Sequence, residues 1–198
     1  MIRLSVPFVL ASTSPRRRQL VRVFGFPVQT ASADVDETIH PGELADAAVQ
    51  RLATDKARSV AGAFPGSLVL GADTVVVCDG VILGKPTSPS DAREMLSLLS
   101  GREHVVHTGM ALVHAETGRV VSAVEQTYVT MDELSAAEVA AYVATGSPLD
   151  KAGAYGIQDD TGAILVKSIR GDFYTVMGLP LNRLFRLIPA SFPDLVVS

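Results

Sequence analysis

The run LVLGADTVVVC, residues 68–78, constrains the fold more than any other stretch of the chain. β-Branched and apolar side chains dominate it, which disfavours a helix and predicts a buried strand. It ends in Asp79-Gly80, the dipeptide of a tight hairpin turn, and VILGK then leads the chain back. A carboxylate, Asp73, sits in the middle of this otherwise apolar strand.

The segments around it alternate in character. VPFVLA near the start reads as a short strand, and SPRRRQLVRVFG as a helix stopped by Gly25. VQTASA reads as a second strand, and Gly42 to Phe64 as a long helix. SPSDAREMLSLLSG predicts a helix with Ser88 or Ser90 as N-cap and Gly101 just past its end. Residues 104–130 read as two strands joined at Thr117-Gly118, and SAAEVAAYVATG as a helix. AILVKSI is expected to be a strand, and a helix over Leu181–Ile188 is expected to close the chain. Helices interspersed with strands and hairpins predict an α/β or α+β fold around a mixed sheet. Periodicity leaves the strand order open.

The chain has 198 residues, enough for one domain or a compact two-lobed one. With 47% hydrophobic and 19% charged residues it is not intrinsically disordered. A net charge of −4 counts against a dedicated nucleic-acid binder, yet allows a local basic pocket for a small anion. The single cysteine, Cys78, permits no intrachain disulfide and reads as a small core residue. No apolar run reaches the roughly 18 residues that a membrane span requires, and MIRLSVPFVLAS reads as a first strand, not a signal peptide. The expected setting is cytoplasmic, with no membrane partner.

Several residues break local rules. Ser14 suits an N-cap and Pro15 the first helical position, which puts Arg16, Arg17 and Arg18 in the first turn. Cations are unfavourable there unless an anion such as phosphate sits among them, with Ser12 and Thr13 adding hydroxyl donors. The bland alternative is a surface helix with its arginines in water. Asp73 needs a cation, a metal or several donors. A catalytic base or metal ligand and a structural ion pair are both open on local grounds. Lys56 falls on the apolar stripe Leu44, Ala48, Leu52, Lys56, Val60 of the long helix, so it either snorkels past the core edge or reaches into a cleft.

Lys85 lies between Gly84 and Pro86 in a loop. Asp36 and Glu37 precede Thr38 in another, and with Asp73 nearby they would suit Mg²⁺ on a triphosphate. In DKAGAYGIQDD, residues 150–160, glycines around Tyr155 allow backbone approach to a ligand, with Tyr155 packing on it and the Gln158 amide bonding a base edge. The alternative is a glycine-rich turn packed under its own tyrosine. His104 and His107, three apart in a strand, should face opposite sides and not bind metal together. The chain lacks a P-loop, G-x-G-x-x-G, H-E-x-x-H and C-x-x-C.

Taken in order, LASTSPRRRQL, DVDET with ATDKA, LGADTVV, GKP, LSGREHVVHTGMAL, PLDKAGAYGIQ and GDFYTVMGLPL resemble the Maf family of nucleoside triphosphate pyrophosphatases over nearly the whole chain. The resemblance implies a single α/β domain over residues 1–198, with a mixed, curved central sheet flanked by helices and two lobes around a cleft. It implies hydrolysis of a nucleoside triphosphate to monophosphate and pyrophosphate with a divalent metal, Mg²⁺ or Mn²⁺. Asp73 then corresponds to the proposed general base and, with Glu37, to the metal ligands. Ser12, Arg16, Arg17, Lys56, Thr74, Lys85 and Gln158 correspond to substrate-binding positions.

Arg16, Thr74 and Gln158 are similar to the branch that prefers dTTP and UTP, whereas the 7-methyl-GTP branch typically carries Trp and SDQ where this chain has Arg16 and ADT. Two departures stand out: the third arginine, Arg18, and the acidic pair Asp159-Asp160 after GIQ, where glycine is common. That pair is expected to alter affinity for an anionic substrate. Family members often form dimers, so a homodimer is an expectation from the resemblance. The alternatives are a broader housekeeping pyrophosphatase for modified nucleotides and a non-catalytic nucleotide-binding regulator of septum formation.

Overall fold

The computed structural model describes residues 2–159 and 161–197. The elements run β1 (Arg3–Leu4), β2 (Phe8–Ala11), α1 (Pro15–Val21), β3 (Val28–Ala31), α2 (Ala45–Ala61), β4 (Leu68–Cys78), β5 (Val81–Leu83), α3 (Pro89–Leu99), β6 (Glu103–His114), β7 (Val120–Met131), α4 (Ala136–Ala144), β8 (Val166–Arg170), α5 (Phe173–Val176), α6 (Leu181–Ser191) and β9 (Val196–Val197). The main sheet has the order β3-β2-β4-β6-β7-β8, with β5 paired to β4. It is mixed: β2 runs parallel to both β3 and β4, while β5 on β4 and β8 on β7 are antiparallel.

The chain gathers into two compact units. One comprises Met1–Asp73, Thr108–Glu125 and Gly178–Ser198, the other Thr74–His107 and Gln126–Met177. The division falls inside the long strands β4, β6 and β7. Each unit has its own apolar core.

In the first unit that core includes Val9, Ala11, Ala57, Val60, Val69 and Val113. Helix α2 lies directly on the strands because two of them carry glycine where it passes. A Cβ on Gly71 would fall 2.1 Å from the Ala53 carbonyl oxygen, and one on Gly109 would fall 2.3 Å from that of Val49. Both glycines are backbone approaches, not turns.

In the second unit Val76, Leu96, Leu99, Val129, Met131, Tyr142 and Tyr155 are among the core residues. Ser88 caps α3 by accepting from the Asp91 N–H at 3.1 Å. Ser135 and Glu138 form a reciprocal capping box on α4. The Asp79-Gly80 turn has φ 49° and 79°, the geometry a two-residue hairpin requires.

Two expectations are corrected. AILVKSI does not begin as a strand: residues 162–165 form a 3₁₀ turn, held where the Ala163 N–H meets the Asp159 carbonyl at 2.9 Å. The last helix does not close the chain either, because β9 pairs antiparallel with β1. Among the described residues no helix is long and apolar enough to cross a membrane.

Candidate active site

The close seat of α2 on β4 decides what Asp73 meets. Gly71 and Asp73 share a face of β4, two residues apart. The helix residues over Gly71 are Ala53 and Ala57, and Lys56 occupies the same turn. Its Nζ donates to Asp73 Oδ1 at 2.6 Å and lies 2.6 Å from Glu37 Oε1. Lys56 is 6% exposed and Asp73 8%, so the lysine turns inward and does not snorkel. Asp73 is thus half of a buried ion pair, one of the two readings that its place in the strand left open.

Glu37 reaches this point from the loop between β3 and α2, and that loop is tied to the helix. Asp36 Oδ1 accepts the Thr38 N–H at 2.9 Å, which makes a local turn. The Thr38 carbonyl accepts from Arg51 Nη2 at 3.0 Å, while Arg51 also grips Glu43 through two contacts of 2.8 and 2.7 Å. This pairing with Arg51 holds the Glu43 carboxyl down at about 2. Arg51 therefore ties down the chain next to Glu37, a role that no sequence motif singled out.

The basic turn is built as its sequence predicts. Ser14 caps α1 by accepting from the Arg17 N–H at 3.4 Å, and Ser12 Oγ accepts from the Ser14 N–H at 3.2 Å. Arg18 is exposed, whereas Arg16 and Arg17 are half-buried. Arg17 Nε donates to the Gly178 carbonyl at 2.8 Å, which fixes its guanidinium. Burial lowers the Arg17 pKa first of all. Asp73 opposes that shift, Arg16 adds to it, and Glu37 opposes it in turn. Arg16, Arg17, Glu37 and Asp73 therefore sit in one electrostatic neighbourhood. With Lys56 they make three cations against two carboxylates, a balance that favours a polyanion.

Thr74, Lys85 and Gln158 belong to the second unit. Thr74 follows Asp73 on β4 and is half-buried, while Lys85 is exposed in the loop after β5. The Gly153 N–H donates to the Gly84 carbonyl at 3.0 Å, which joins the Lys85 loop to the glycine-rich segment. Gln158 is half-buried and its Nε2 donates to Asp159 Oδ1 at 3.0 Å.

The glycine-rich segment corrects one expectation. Its glycines make room for the protein's own atoms: a Cβ on Gly153 would meet Val76 at 2.8 Å, and one on Gly156 would meet Asp159 and Lys151 at 2.6 Å. Tyr155 is 5% exposed and shares a hydrogen bond of 2.8 Å with His104 Nε2, so it is a core residue and not a ligand platform. Asp159 is paired as well, 3.1 Å from the buried Lys151 Nζ, so its charge is matched inside the protein. Asp160 lies outside the described residues. Burial pushes the Tyr142 phenol up to about 12, which keeps its hydroxyl proton in place beside Asp159. His104 is buried on β6 and His107 half-buried, as their opposite faces require.

Among the described residues no three imidazole, thiol or carboxylate side chains gather as a closed metal cage. Glu37 and Asp73 do converge on one cation, the Lys56 ammonium. Two carboxylates with the remaining oxygens supplied by phosphate and water are the usual donor set for Mg²⁺ on a nucleotide. The residues present fit a divalent ion of that kind.

Residues 7–191 match the family model described as Maf-like protein. The chain is 52% identical to the dTTP/UTP pyrophosphatase of Salinibacter ruber over 99% of its own length and 96% of that protein. It is 49% identical to a protein of the same name from Moorella thermoacetica, over 91% of this chain and 92% of the relative. A third, from Halalkalibacterium halodurans, is 48% identical over 92% and 94%.

Proposed function

The chain belongs to the Maf family, and on that premise we propose that it hydrolyses nucleoside triphosphates, dTTP and UTP foremost, to the monophosphate and pyrophosphate. The observation that carries this reading is the convergence of Glu37 and Asp73 on Lys56 Nζ, 2.6 Å from each, with Arg16 and Arg17 in the same field.

Arg16, Arg17 and Lys56 neutralise the triphosphate, and Ser12 offers its hydroxyl to a phosphate oxygen. Asp73 takes the proton of the attacking water. The water oxygen bonds to the α-phosphorus as the bond to the bridging oxygen breaks, and pyrophosphate leaves with that oxygen. Glu37 and Asp73 would hold Mg²⁺ or Mn²⁺, whose charge offsets that developing on the phosphate oxygens. Lys85 is assigned to the phosphates, and Thr74 and Gln158 to the pyrimidine, on their match to the family's motifs. One domain over residues 1–198 carries the whole activity.

The test is kcat/KM for dTTP and UTP against dCTP, ITP and 7-methyl-GTP, with Mg²⁺ or Mn²⁺. The two named substrates are expected to lead. A flat profile would favour a housekeeping role on modified nucleotides, and tight binding without turnover would favour a regulator.

A further inference from the structure

We infer that Asp159 is a positioning residue for base selection: by fixing which end of the Gln158 amide faces it, it sharpens in this protein the preference for uracil or thymine over cytosine that Gln158 supplies. This rests on the assignment of Gln158 to the base.

A glutamine amide has two unlike ends, a donor at Nε2 and an acceptor at Oε1. A carboxylate only accepts. Asp159 Oδ1 lies 3.0 Å from Gln158 Nε2, so the amide meets it through its donor end. A flipped amide would set Oε1 against Oδ1, two acceptors with no proton between them, at the cost of a hydrogen bond.

Asp159 itself is built in place. Its Oδ2 accepts from Ser147 Oγ at 2.5 Å and from the Tyr142 hydroxyl at 3.3 Å, and lies 3.1 Å from Lys151 Nζ. Its main-chain N–H donates to the Gly156 carbonyl at 3.1 Å, and its carbonyl accepts from Ala163 at 2.9 Å. Among the described residues, the donors crowd one carboxylate oxygen and leave the other to Gln158. Gly156 is required here, because a Cβ would lie 2.6 Å from Oδ2.

The clamped amide thus offers Oε1 and its second N–H in a set order. Uracil and thymine present an N3–H donor beside the O4 acceptor, while cytosine presents an N3 acceptor beside an N4 donor. With the sugar and phosphates held, the two edges require opposite amide orientations. Asp159 permits one of them.

The experiment compares kcat/KM for UTP and CTP in the wild type, Asp159→Asn, Asp159→Ala and Gln158→Ala, with thermal melts on each. Asn can donate or accept and Ala does neither, so both release the amide. Lys151 Nζ also donates to Asp150 Oδ1 at 2.8 Å and to the Ser147 carbonyl at 2.5 Å, so it retains partners when Asp159 is replaced, and the melts report whether the fold holds. The UTP:CTP ratio should fall about tenfold in both Asp159 variants, carried by KM while kcat for UTP holds. A structural role would lower both substrates equally. If Gln158→Ala abolishes the preference and the Asp159 variants keep the wild-type ratio, the inference is overturned and the base reading stands. If Gln158→Ala leaves the ratio unchanged, the base reading is wrong and the inference falls with it.

Discussion

Lys56 and Asp73 are seventeen residues apart in sequence, on a helix and on the strand beneath it, and their side chains meet at 2.6 Å out of solvent. The contact is costly to build and costly to break. Two desolvated charges repay their burial only through each other and through further partners, here Glu37.

Asp73→Asn should lower kcat by about a thousandfold, within the range of general acid–base effects. The amide keeps the volume and still accepts from Lys56, so stability should fall by only about 1–2 kcal/mol. Steady-state kinetics and chemical denaturation on the same preparation check both. A folded variant with substantial turnover removes Asp73 as the base.

Lys56→Met keeps the stem and deletes the charge, leaving two carboxylates facing each other. It should destabilise the protein by about 3 kcal/mol or more. Adding Asp73→Asn should restore part of that, as a double-mutant cycle reports. Because the bared carboxylates gather cations, millimolar Mg²⁺ should raise the melting temperature of Lys56→Met more than that of the wild type. An equal response in both would count against Glu37 and Asp73 as the metal ligands.

Gly71→Ala tests the seat of the helix. Its Cβ would lie 2.1 Å from the Ala53 carbonyl, so α2 must lift. We expect a loss of about 3 kcal/mol or more. A lower kcat in the fraction that folds is also expected, since Lys56 rides on the same turn. A stable variant with wild-type kcat would show that this approach does not position Lys56.

His104 sets a pH dependence. Burial lowers its pKa from 6.5 to about 4. The unfolded chain therefore binds a proton that the folded chain refuses between those values. Stability rises with pH across this window, and falls as pH drops from neutral, by about 2 kcal/mol between pH 7 and pH 5. His104→Gln should flatten that slope in denaturation curves. An unchanged slope would assign the acid sensitivity elsewhere.

Much of this site announces itself as conflict in the sequence. Lys56 is legible because it stands on an apolar stripe, and Asp73 because it interrupts an apolar strand. Their pairing is not legible, since it depends on α2 crossing β4 at Gly71, a long-range approach that leaves no local period. Arg51 and the Gly178 carbonyl orient Glu37's loop and Arg17 through tertiary hydrogen bonds that motifs do not encode. The glycine-rich segment misleads for a related reason: glycine reports that something comes close, not whether it is a ligand or Val76. Strands β1 and β9 are two residues each, too short for alternation to show. The hairpins and caps are read correctly because turn and cap chemistry is local.

The most direct test of the central claim is to incubate the purified protein with dTTP and Mg²⁺ or Mn²⁺ and resolve the products. Thymidine monophosphate and pyrophosphate in equal amounts are the predicted result. Release of orthophosphate with the diphosphate would place cleavage at the terminal bond and contradict the account.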